Sequence, residues 1–226
     1  MKKTALVLGL AVVLSFFVVG CTLQQSKTAP VYYTFPGADG RANSYILANG
    51  NQAAVIDPSN TPAIIKKLKD MSLNPEYIIL THGHFDHIAG IDAVKKEFPK
   101  AQVMIHPIDM DKLTDPAKNL SVMVGQSVVV NSQASPLIDG QSIQLANINI
   151  TVIATPGHSP GSICLSAGDL LFTGDTLFRG SVGRTDFPDS GTKELQLSLH
   201  KLDKLPAETR VLPGHGDATT LGEERQ

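Results

Sequence analysis

Residues 77–87 read YIILTHGHFDH and join an apolar run to three histidines and an aspartate. The apolar run at 77–80 predicts a buried β-strand. Transition-metal ions in proteins bind neutral imidazole nitrogens and carboxylate oxygens at about 2.0–2.2 Å, and a catalytic ion keeps one coordination position open. A dense set of such ligands directly after a strand therefore predicts a catalytic metal centre at the end of that strand.

Three turns further along the chain contain the same ligand types, each next to an apolar segment. They are TPGHSPG at 155–161, FTGD at 172–175 and LPGHG at 212–216. Together with 82–87, these turns contain five of the seven histidines. The other two, His106 and His200, are isolated in the sequence, so we do not predict them as ligands.

The ordered motifs HGHFDH, TPGHSPGS, FTGDT and LPGHG resemble the metallo-β-lactamase-fold hydrolase superfamily. The glyoxalase II-like branch is the most similar, because it also has a stretch like LFRGSVGRTDF, here residues 177–187. The resemblance covers residues 31–226, and motifs in a fixed order are more specific than any one motif. It implies an α/β fold, a four-layer αββα sandwich of two mixed β-sheets flanked by helices, with the metal site at one edge.

The resemblance also implies a ligand set for two metal ions. The implied ligands are His82, His84 and His158 for the first ion, Asp86, His87 and His215 for the second, and Asp175 as the bridge between them. Asp57 is implied to support the site, since ligand histidines generally need a partner for their other ring nitrogen. An aspartate at 175 argues against β-lactam hydrolysis, because the common zinc β-lactamases of the superfamily have cysteine or serine at the matching position.

Two cations about 3.5–4 Å apart lower the pKa of a shared water from 15.7 towards roughly 7. The resemblance thus implies a hydrolase that uses a hydroxide between two divalent metal ions to cleave thioesters or similar small acyl compounds. Zinc is the first expectation, with iron and manganese as alternatives. Asp86 is also the predicted catalytic residue, because a carboxylate within hydrogen-bond reach of that water can accept its proton.

Other activities remain open on the same residues. Lactones are a second substrate class for the same ligands. A persulfide dioxygenase of the superfamily would bind one iron through His82, His158 and Asp175, a two-histidine, one-carboxylate set. A protein that only sequesters metal is a third alternative. Glutathione specificity is not expected, because glyoxalase II binds glutathione with a helical C-terminal extension and eleven residues follow His215 here.

The first twenty residues have the layout of a secretory signal, with lysines at positions 2 and 3, an uncharged apolar stretch and a glycine before Cys21. The sequence VVGC at 18–21 resembles a bacterial lipoprotein cleavage box, which implies that Cys21 becomes lipidated. An uncleaved membrane anchor is the alternative. The predicted organisation is a signal peptide at 1–20, a lipidated tether at 21–30 and the folded domain at 31–226, exported to the periplasmic or extracellular face of a membrane.

The charge of the chain argues against nucleic acid as a partner. The formal net charge is −2 and becomes −4 without residues 1–20, which contain two lysines and no acid. Phosphate backbones are bound by basic patches, and the chain has no basic run. The expected partners are a small acyl substrate and, through acylated Cys21, the lipid bilayer. Cys164 then has no disulfide partner, and we predict it as a small buried residue on a strand.

Apolar periodicity predicts alternating strands and helices. The predicted strands are 43–48, 52–57, 77–81, 102–105, 143–153, 163–166, 170–173 and 210–212, and the predicted helices are 62–70, 87–98 and 192–204. Residues 106–142 are either a connecting loop with one short strand or part of the substrate mouth, and none of them is predicted as a site residue. Arg179, Arg184 and Asp186 fit either an anionic substrate or a structural ion pair.

Overall fold

The computed structural model of the protein describes residues 30–37 and 40–225. The predicted signal peptide and the tether as far as residue 29, including Cys21, lie outside these residues. Within the described part of the chain, no helix combines the length and the apolar composition needed to cross a bilayer.

Two six-stranded mixed sheets form the centre of the fold. The first consists, in spatial order, of β1 (Val31–Phe35), β2 (Ser44–Asn49), β3 (Gln52–Ile56), β4 (Asn74–Ile79), β5 (Gln102–Ile105) and β6 (Ala134–Pro136). The strands of the second half are β7 (Ser142–Leu145), β8 (Ile148–Ala154), β9 (Ile163–Ala167), β10 (Leu170–Gly174), β11 (Leu177–Phe178), β12 (Ser181–Val182), β13 (Arg210–Pro213) and β14 (Thr219–Thr220). The second sheet has the order β14-β13-β10-β9-β8-β7, and β11 and β12 form a separate hairpin.

Helices cover the outer face of each sheet. The helices are α1 (Thr61–Asp70), α2 (Phe85–Ile88), α3 (Ile91–Glu97), α4 (Thr192–Leu202) and α5 (Leu221–Glu224). The first three pack against the first sheet, and the last two pack against the second. Two 3-10 helices, Pro107–Leu113 and Ser121–Val124, lie in the connection between β5 and β6.

The alternation of side chains along β2 shows why the layers form. Successive residues of a strand point to opposite faces. Tyr45 and Leu47 enter the core between the two sheets, where the Tyr45 ring meets that of Phe172 at a centroid distance of 5.3 Å. Ile46 and Ala48 face the helices instead. Because both faces are buried, the predicted four-layer αββα sandwich is confirmed.

Two of the predicted elements differ from the structure. The stretch 143–153 is a hairpin of β7 and β8, with Ala146 at φ 50° in the turn. The predicted helix at 87–98 is wrong as one element, because it divides into α2 and α3 at Gly90. A Cβ on Gly90 would lie 2.1 Å from the carbonyl oxygen of Pro58, so the chain passes too close for any other residue.

Residues 106–142 are mostly irregular, and their short strand is β6. The apolar run at 127–130 forms no strand, although Val130 is buried. The edge strands β1 and β14 and the short helix α5 were not predicted from the sequence, because short edge elements have too little periodicity to detect.

Candidate metal centre

The sequence motifs lie at one edge of the two sheets, where strands end. Asp57 follows β3, and residues 82–87 follow β4, which is parallel to β3. His158 follows β8, Asp175 follows β10, and His215 follows β13, which is parallel to β10. Since the carboxyl ends of parallel strands meet at the same edge, segments far apart in the chain come together there.

The structure brings all seven predicted ligands together. Their donor atoms form three overlapping groups, each within 4.8 Å, namely His82, His84 and His158, then His82, His87 and Asp175, then Asp86, His87 and His215. Asp175 lies between the histidine sets. Its Oδ1 is 3.2 Å from His87 Nε2. Its Oδ2 is 3.4 Å from His158 Nε2 and 3.6 Å from His215 Nε2.

Several buried polar atoms at this edge have no hydrogen-bond partner within the described part of the chain. They are His84 Nε2, His87 Nε2 and Asp175 Oδ1. In addition, His84 Nδ1 is 3.1 Å from His82 Nε2 and 2.9 Å from His158 Nε2. Leaving such atoms unpaired costs about 1–3 kcal/mol each. Cations that accept lone pairs from His84 Nδ1, His87 Nε2 and Asp175 Oδ1 remove the cost at these atoms, with the His84 proton on Nε2, so the donor set fits divalent transition-metal ions.

The electrostatics differ between the ligands. Burial would lower the pKa of His87 and His215, but nearby carboxylates, chiefly Asp86 and Asp175, raise both values overall. Burial lowers the pKa of His84 to about 3 and that of His82 well below its ordinary value, and the neighbouring imidazoles act in the same direction. Both rings are therefore neutral and keep a lone pair. Burial alone would raise the pKa of Asp175, but His87, His158 and His215 hold it below its usual range. Asp175 is therefore a carboxylate.

Hydrogen bonds orient the ligand rings. His87 Nδ1 lies 2.9 Å from Asp57 Oδ2, which leaves Nε2 facing Asp175. Asp57 is itself fixed by the backbone N–H of Thr81 at 2.8 Å and by the Thr81 hydroxyl at 2.6 Å. His158 Nδ1 is 2.9 Å from the carbonyl oxygen of Arg184, to which it donates.

The sequence model of the metallo-beta-lactamase superfamily matches residues 37–215. The chain belongs to the metallo-beta-lactamase superfamily. Among solved structures, the BLEG-1 B3 metallo-beta-lactamase is 36% identical, with a TM-score of 0.81 and coverage of 86% of this chain and 96% of that chain. TTHA1623 in a di-iron-bound form is 34% identical, with a TM-score of 0.75 and coverage of 85% and 96%. The hydroxyacylglutathione hydrolase GloC of Haemophilus influenzae is 30% identical over 190 residues, which are 81% of this chain and 89% of GloC.

These likenesses confirm the predicted superfamily and its glyoxalase II-like branch. Superfamily membership, together with the histidine and aspartate cluster, indicates a metal-dependent hydrolase that binds divalent ions. The matched region, residues 37–215, includes all the predicted ligands.

Asp109 supports the ligand loops of this protein and was not predicted from the sequence. Its side chain is fully buried and accepts three hydrogen bonds. The donors are the Gly83 N–H at 2.9 Å, the Ser159 hydroxyl at 2.6 Å and the Gly161 N–H at 2.9 Å. Because Gly83 lies between His82 and His84 and Ser159 follows His158, Asp109 joins two ligand loops. The only sequence signal was an acidic residue shortly after the predicted strand at 102–105.

Two glycines allow the ligand loops to approach their neighbours. A Cβ on Gly83 would lie 2.6 Å from the Cβ of Lys112, whose buried side chain pairs with Asp189. A Cβ on Gly214 would lie 2.2 Å from Asp175 Oδ1 and 2.8 Å from His87 Cε1. Glycine is therefore required at both positions for steric reasons, which explains why glycines lie beside ligands in the motifs.

A cavity of about 440 Å³ opens over the predicted ligands. Its polar lining residues are His84, Asp86, His158, Asp175, Arg184 and His215, and its apolar ones are Phe85, Leu120, Met123, Val124, Phe178 and Phe187. The guanidinium of Arg184 makes a bidentate pair with Asp186 at 2.9 and 2.8 Å and lies 4.7 Å from the centre of the Phe187 ring. Arg184 is thus at the cavity, and Asp186 is its partner.

Another groove, of about 820 Å³, lies between α4 and the β11–β12 hairpin. It is larger, but none of the predicted ligands lines it, so we place the chemistry in the smaller cavity. His200 lines this groove and is largely exposed. His106 accepts a hydrogen bond from the N–H of Ile108 at the start of a 3-10 helix. Neither histidine belongs to the ligand groups, as expected from their isolation in the sequence.

Proposed function

We propose that the protein is a hydrolase with two divalent metal ions that cleaves thioesters of small carboxylic acids. The observation that carries this proposal is the position of Asp175, whose two carboxylate oxygens face different histidines. In the proposal His82, His84 and His158 would hold the first ion, Asp86, His87 and His215 would hold the second, and Asp175 would contribute to both. The di-iron form of a 34% identical structure supports this assignment.

When bound, a pair of divalent ions lowers the pKa of a water molecule towards about 7 and polarises a carbonyl group. Asp86 is the residue that we propose as proton acceptor. It lines the cavity, and its Oδ2 lies 3.1 Å from His215 Nε2. Burial would raise the pKa of Asp86, but His87 and His215 lower it overall, so Asp86 is a carboxylate at neutral pH. A carboxylate in this position can accept a proton from water that enters the cavity.

The leaving group favours thioesters over oxygen esters. A thiol has an ordinary pKa near 8.5, so a thiolate departs without a dedicated acid, whereas an alkoxide needs a proton donor. Burial lowers the pKa of His84 and His158, so these two rings supply no proton at pH 7. Neighbouring carboxylates raise the pKa of His87 and His215 against the effect of burial, so the preference for thioesters rests on the leaving group itself. The name of the Haemophilus influenzae relative also supports a thioester substrate.

The compounds tested as substrates should form a panel that extends beyond simple thioesters. Acylglutathione belongs in it, because this chain covers 89% of a relative named for that activity, despite the expectation drawn from the short segment after His215. β-Lactams belong in it, because a 36% identical structure is named a B3 metallo-beta-lactamase. Lactones and glutathione persulfide complete the panel and represent the two other enzymatic alternatives.

The test is to prepare the protein without residues 1–20, measure the metal ions per chain after loading with zinc, iron or manganese, and screen each form. We expect two ions per chain and thioester hydrolysis without oxygen consumption. One iron with oxygen uptake that depends on persulfide would instead establish the dioxygenase. Full metal loading without turnover of any compound in the panel would contradict an enzymatic function.

Lipidation at Cys21 is a separate proposal that rests only on residues 1–21. Its test is a Cys21→Ser variant in a bacterial host supplied with labelled fatty acid. We expect the unmodified chain to incorporate label and to sediment with membranes, and the variant to do neither. Equal labelling of the two proteins would refute acylation at Cys21.

A further inference from the structure

We propose that the substrate of this site has an apolar acyl group, which is bound by an acyl wall formed by Leu120, Met123 and Val124. This inference rests on the proposed function and specifies its substrate class. All three residues line the cavity over the predicted ligands. They come from residues 106–142, to which neither the sequence motifs nor the metal ligands assign a role.

The acyl wall exposes apolar surface beside the site. Met123 is 69% exposed and Val124 is 55% exposed, although both are large and apolar. Contiguous exposed apolar surface at a cavity is typical of ligand-binding sites. Two aromatic rings extend this surface to the ligands. Phe187 lies 5.2 Å from the His84 ring, and Phe178 lies 6.0 Å from the His215 ring, both measured between centroids.

Hydrogen bonds hold the acyl wall in a defined position. Asn119 is fully buried, and its amide group donates to the carbonyl oxygens of Lys112 and Val128 at 2.9 Å each. Its carbonyl side-chain oxygen accepts from the N–H of Ser121 at 3.1 Å. The backbone oxygen of Asn119 accepts from the N–H of Phe85 at 3.0 Å, which joins the wall to α2 and hence to the predicted ligands.

Leu120 has a backbone conformation that leucine rarely adopts. Its φ is +67°, in the left-handed region, which is strained for a residue with a side chain. Such a conformation persists only where the surroundings enforce it, and strained residues of this kind cluster at active sites and ligand clamps. Here it lies between buried Asn119 and the 3-10 helix Ser121–Val124, where Leu120 is 9% exposed and lines the cavity.

The charges around the cavity favour an uncharged acyl group. Among the described lining residues, Arg184 is the one lysine or arginine, and its guanidinium is already paired with Asp186. A carboxylate on the acyl chain would therefore have no unpaired cation to meet. Both products are anions at the reacting atom, which is costly to bury against aliphatic side chains, so only a tail beyond that atom can pack on the wall. We assign this tail to the acyl group, and two series of substrates that vary the acyl group and the thiol separately test the assignment.

Hydrolysis of a series of straight-chain acyl thioesters, from acetyl to octanoyl on one common thiol, tests this inference. Burial of one methylene contributes about 0.8 kcal/mol, which corresponds to roughly fourfold in kcat/KM. We expect kcat/KM to rise about fourfold per methylene until the wall is filled. In Met123→Ser and Val124→Ser variants the rise per methylene should fall below about twofold.

Val122 provides a matched control, because it lies on the same 3-10 helix and is 52% exposed but does not line the cavity. Val122→Ser should keep the full dependence on chain length. A second series with a fixed acetyl group and increasingly apolar thiols should show no comparable rise. A rise that follows the thiol, or an equal loss in Val122→Ser and Met123→Ser, would overturn the inference and leave the proposed hydrolase intact.

A binding measurement separates this inference from the proposed function. The metal-loaded protein is titrated calorimetrically with the product carboxylates from acetate to octanoate. We expect affinity to increase with chain length in the unmodified protein and in Val122→Ser, and less in Met123→Ser. If binding behaves in this way but no thioester is cleaved, the proposed function fails while the apolar site stands. Affinity independent of chain length would refute the acyl wall.

Discussion

Residues 82–87 and residues 107–124 meet at the same edge of the sandwich, but only the first segment has a recognisable sequence. Metal ions accept few ligand atoms, so histidines and an aspartate at 82–87 already indicate the chemistry. The second segment supports the ligand loops through Asp109 and lines the cavity through Met123. Because many residue types can accept a hydrogen bond or present apolar surface, nothing in the sequence of this segment marks its role.

The largest expected effect concerns the ligand side of this comparison. Asp175→Ala removes the carboxylate that faces both histidine sets, so we expect one bound ion or fewer and a loss of turnover of more than about 100-fold, beyond what a supporting residue contributes. Metal analysis after dialysis and thioester kinetics measure this. Asp70→Ala, an exposed aspartate paired with Lys66, is the control and should keep both properties. An Asp175→Ala protein with two ions and full activity would refute the bridging role.

A somewhat smaller effect, on metal affinity, is expected from a change at Asp109, which supports the ligand loops. Asp109→Asn keeps the size of the side chain but replaces one acceptor oxygen with a donor, which then faces a hydroxyl or N–H donor. We expect metal affinity to fall about 10–100-fold, as for other residues that orient ligands. Competition with a chelator measures the affinity, and the visible spectrum of the cobalt(II) form reports the altered ligand geometry.

Asp111→Asn is the matched control for Asp109, since Asp111 lies on the same 3-10 helix but is exposed and pairs with Lys118 at the surface. It should leave both affinity and spectrum unchanged. An unchanged cobalt spectrum in a folded Asp109→Asn protein would show that Asp109 serves stability alone, which would remove the supporting role from residues 107–113.

A moderate effect on stability should appear when metal is removed and pH is lowered. The folded protein holds the pKa of His84 near 3, whereas an unfolded chain has its ordinary value of 6.5. Between these values the unfolded state binds a proton that the folded state does not, so this residue's contribution to stability falls as pH falls below about 6.5. From pH 7 to pH 5 the loss is about 2 kcal/mol.

Urea unfolding of the chelator-treated protein at both pH values measures this loss, with His84→Gln for comparison. The variant should lose less stability over the same pH interval because it lacks the titrating group. The same pH dependence in both proteins would place the pKa shift elsewhere and contradict the conclusion that burial keeps His84 neutral.

The smallest effect is expected at Cys164, which lies in neither segment. Burial raises the pKa of its thiol to about 11, so almost no thiolate forms at neutral pH. We expect iodoacetamide at pH 7.5 to leave Cys164 unmodified in the folded protein and to alkylate it in urea, as measured by mass spectrometry. Rapid modification of the folded protein would mean that this part of the second sheet opens. As a control, Cys164→Ala should leave the metal content unchanged.

Some residues of the site could be predicted from the sequence, whereas Asp109 could not, and the reason is physical. His158 and His215 could be proposed from turns beside apolar segments, and Asp57 from the resemblance to the superfamily, in which an aspartate at the matching position supports a ligand histidine. Asp109 has the same chemical character as Asp57, but it follows a strand whose sequence resembles no motif. Its role depends on two backbone N–H groups and a hydroxyl that approach only after folding.

The strands and helices likewise include some that the sequence predicted and some that it did not. Strands that form a largely apolar run in the sequence, such as β2 and β10, were predicted almost to the residue. The division of α2 from α3 was not, because the helical pattern continues through Gly90, and the close approach of Pro58 to Gly90 arises only in the folded protein. Likewise, the hairpin between β7 and β8 reads as one apolar stretch, since its turn at Ala146 contains no glycine or proline.

The sequence by itself determined the layered fold, the superfamily and the residues that can act as metal ligands, because alternating apolar residues and ligand atoms are local chemical properties. Only the tertiary structure decided which support and lining residues complete the site. Asp109 and Met123 act through neighbours more than twenty positions away, and such proximity follows from the packing of two sheets rather than from any pattern along the chain.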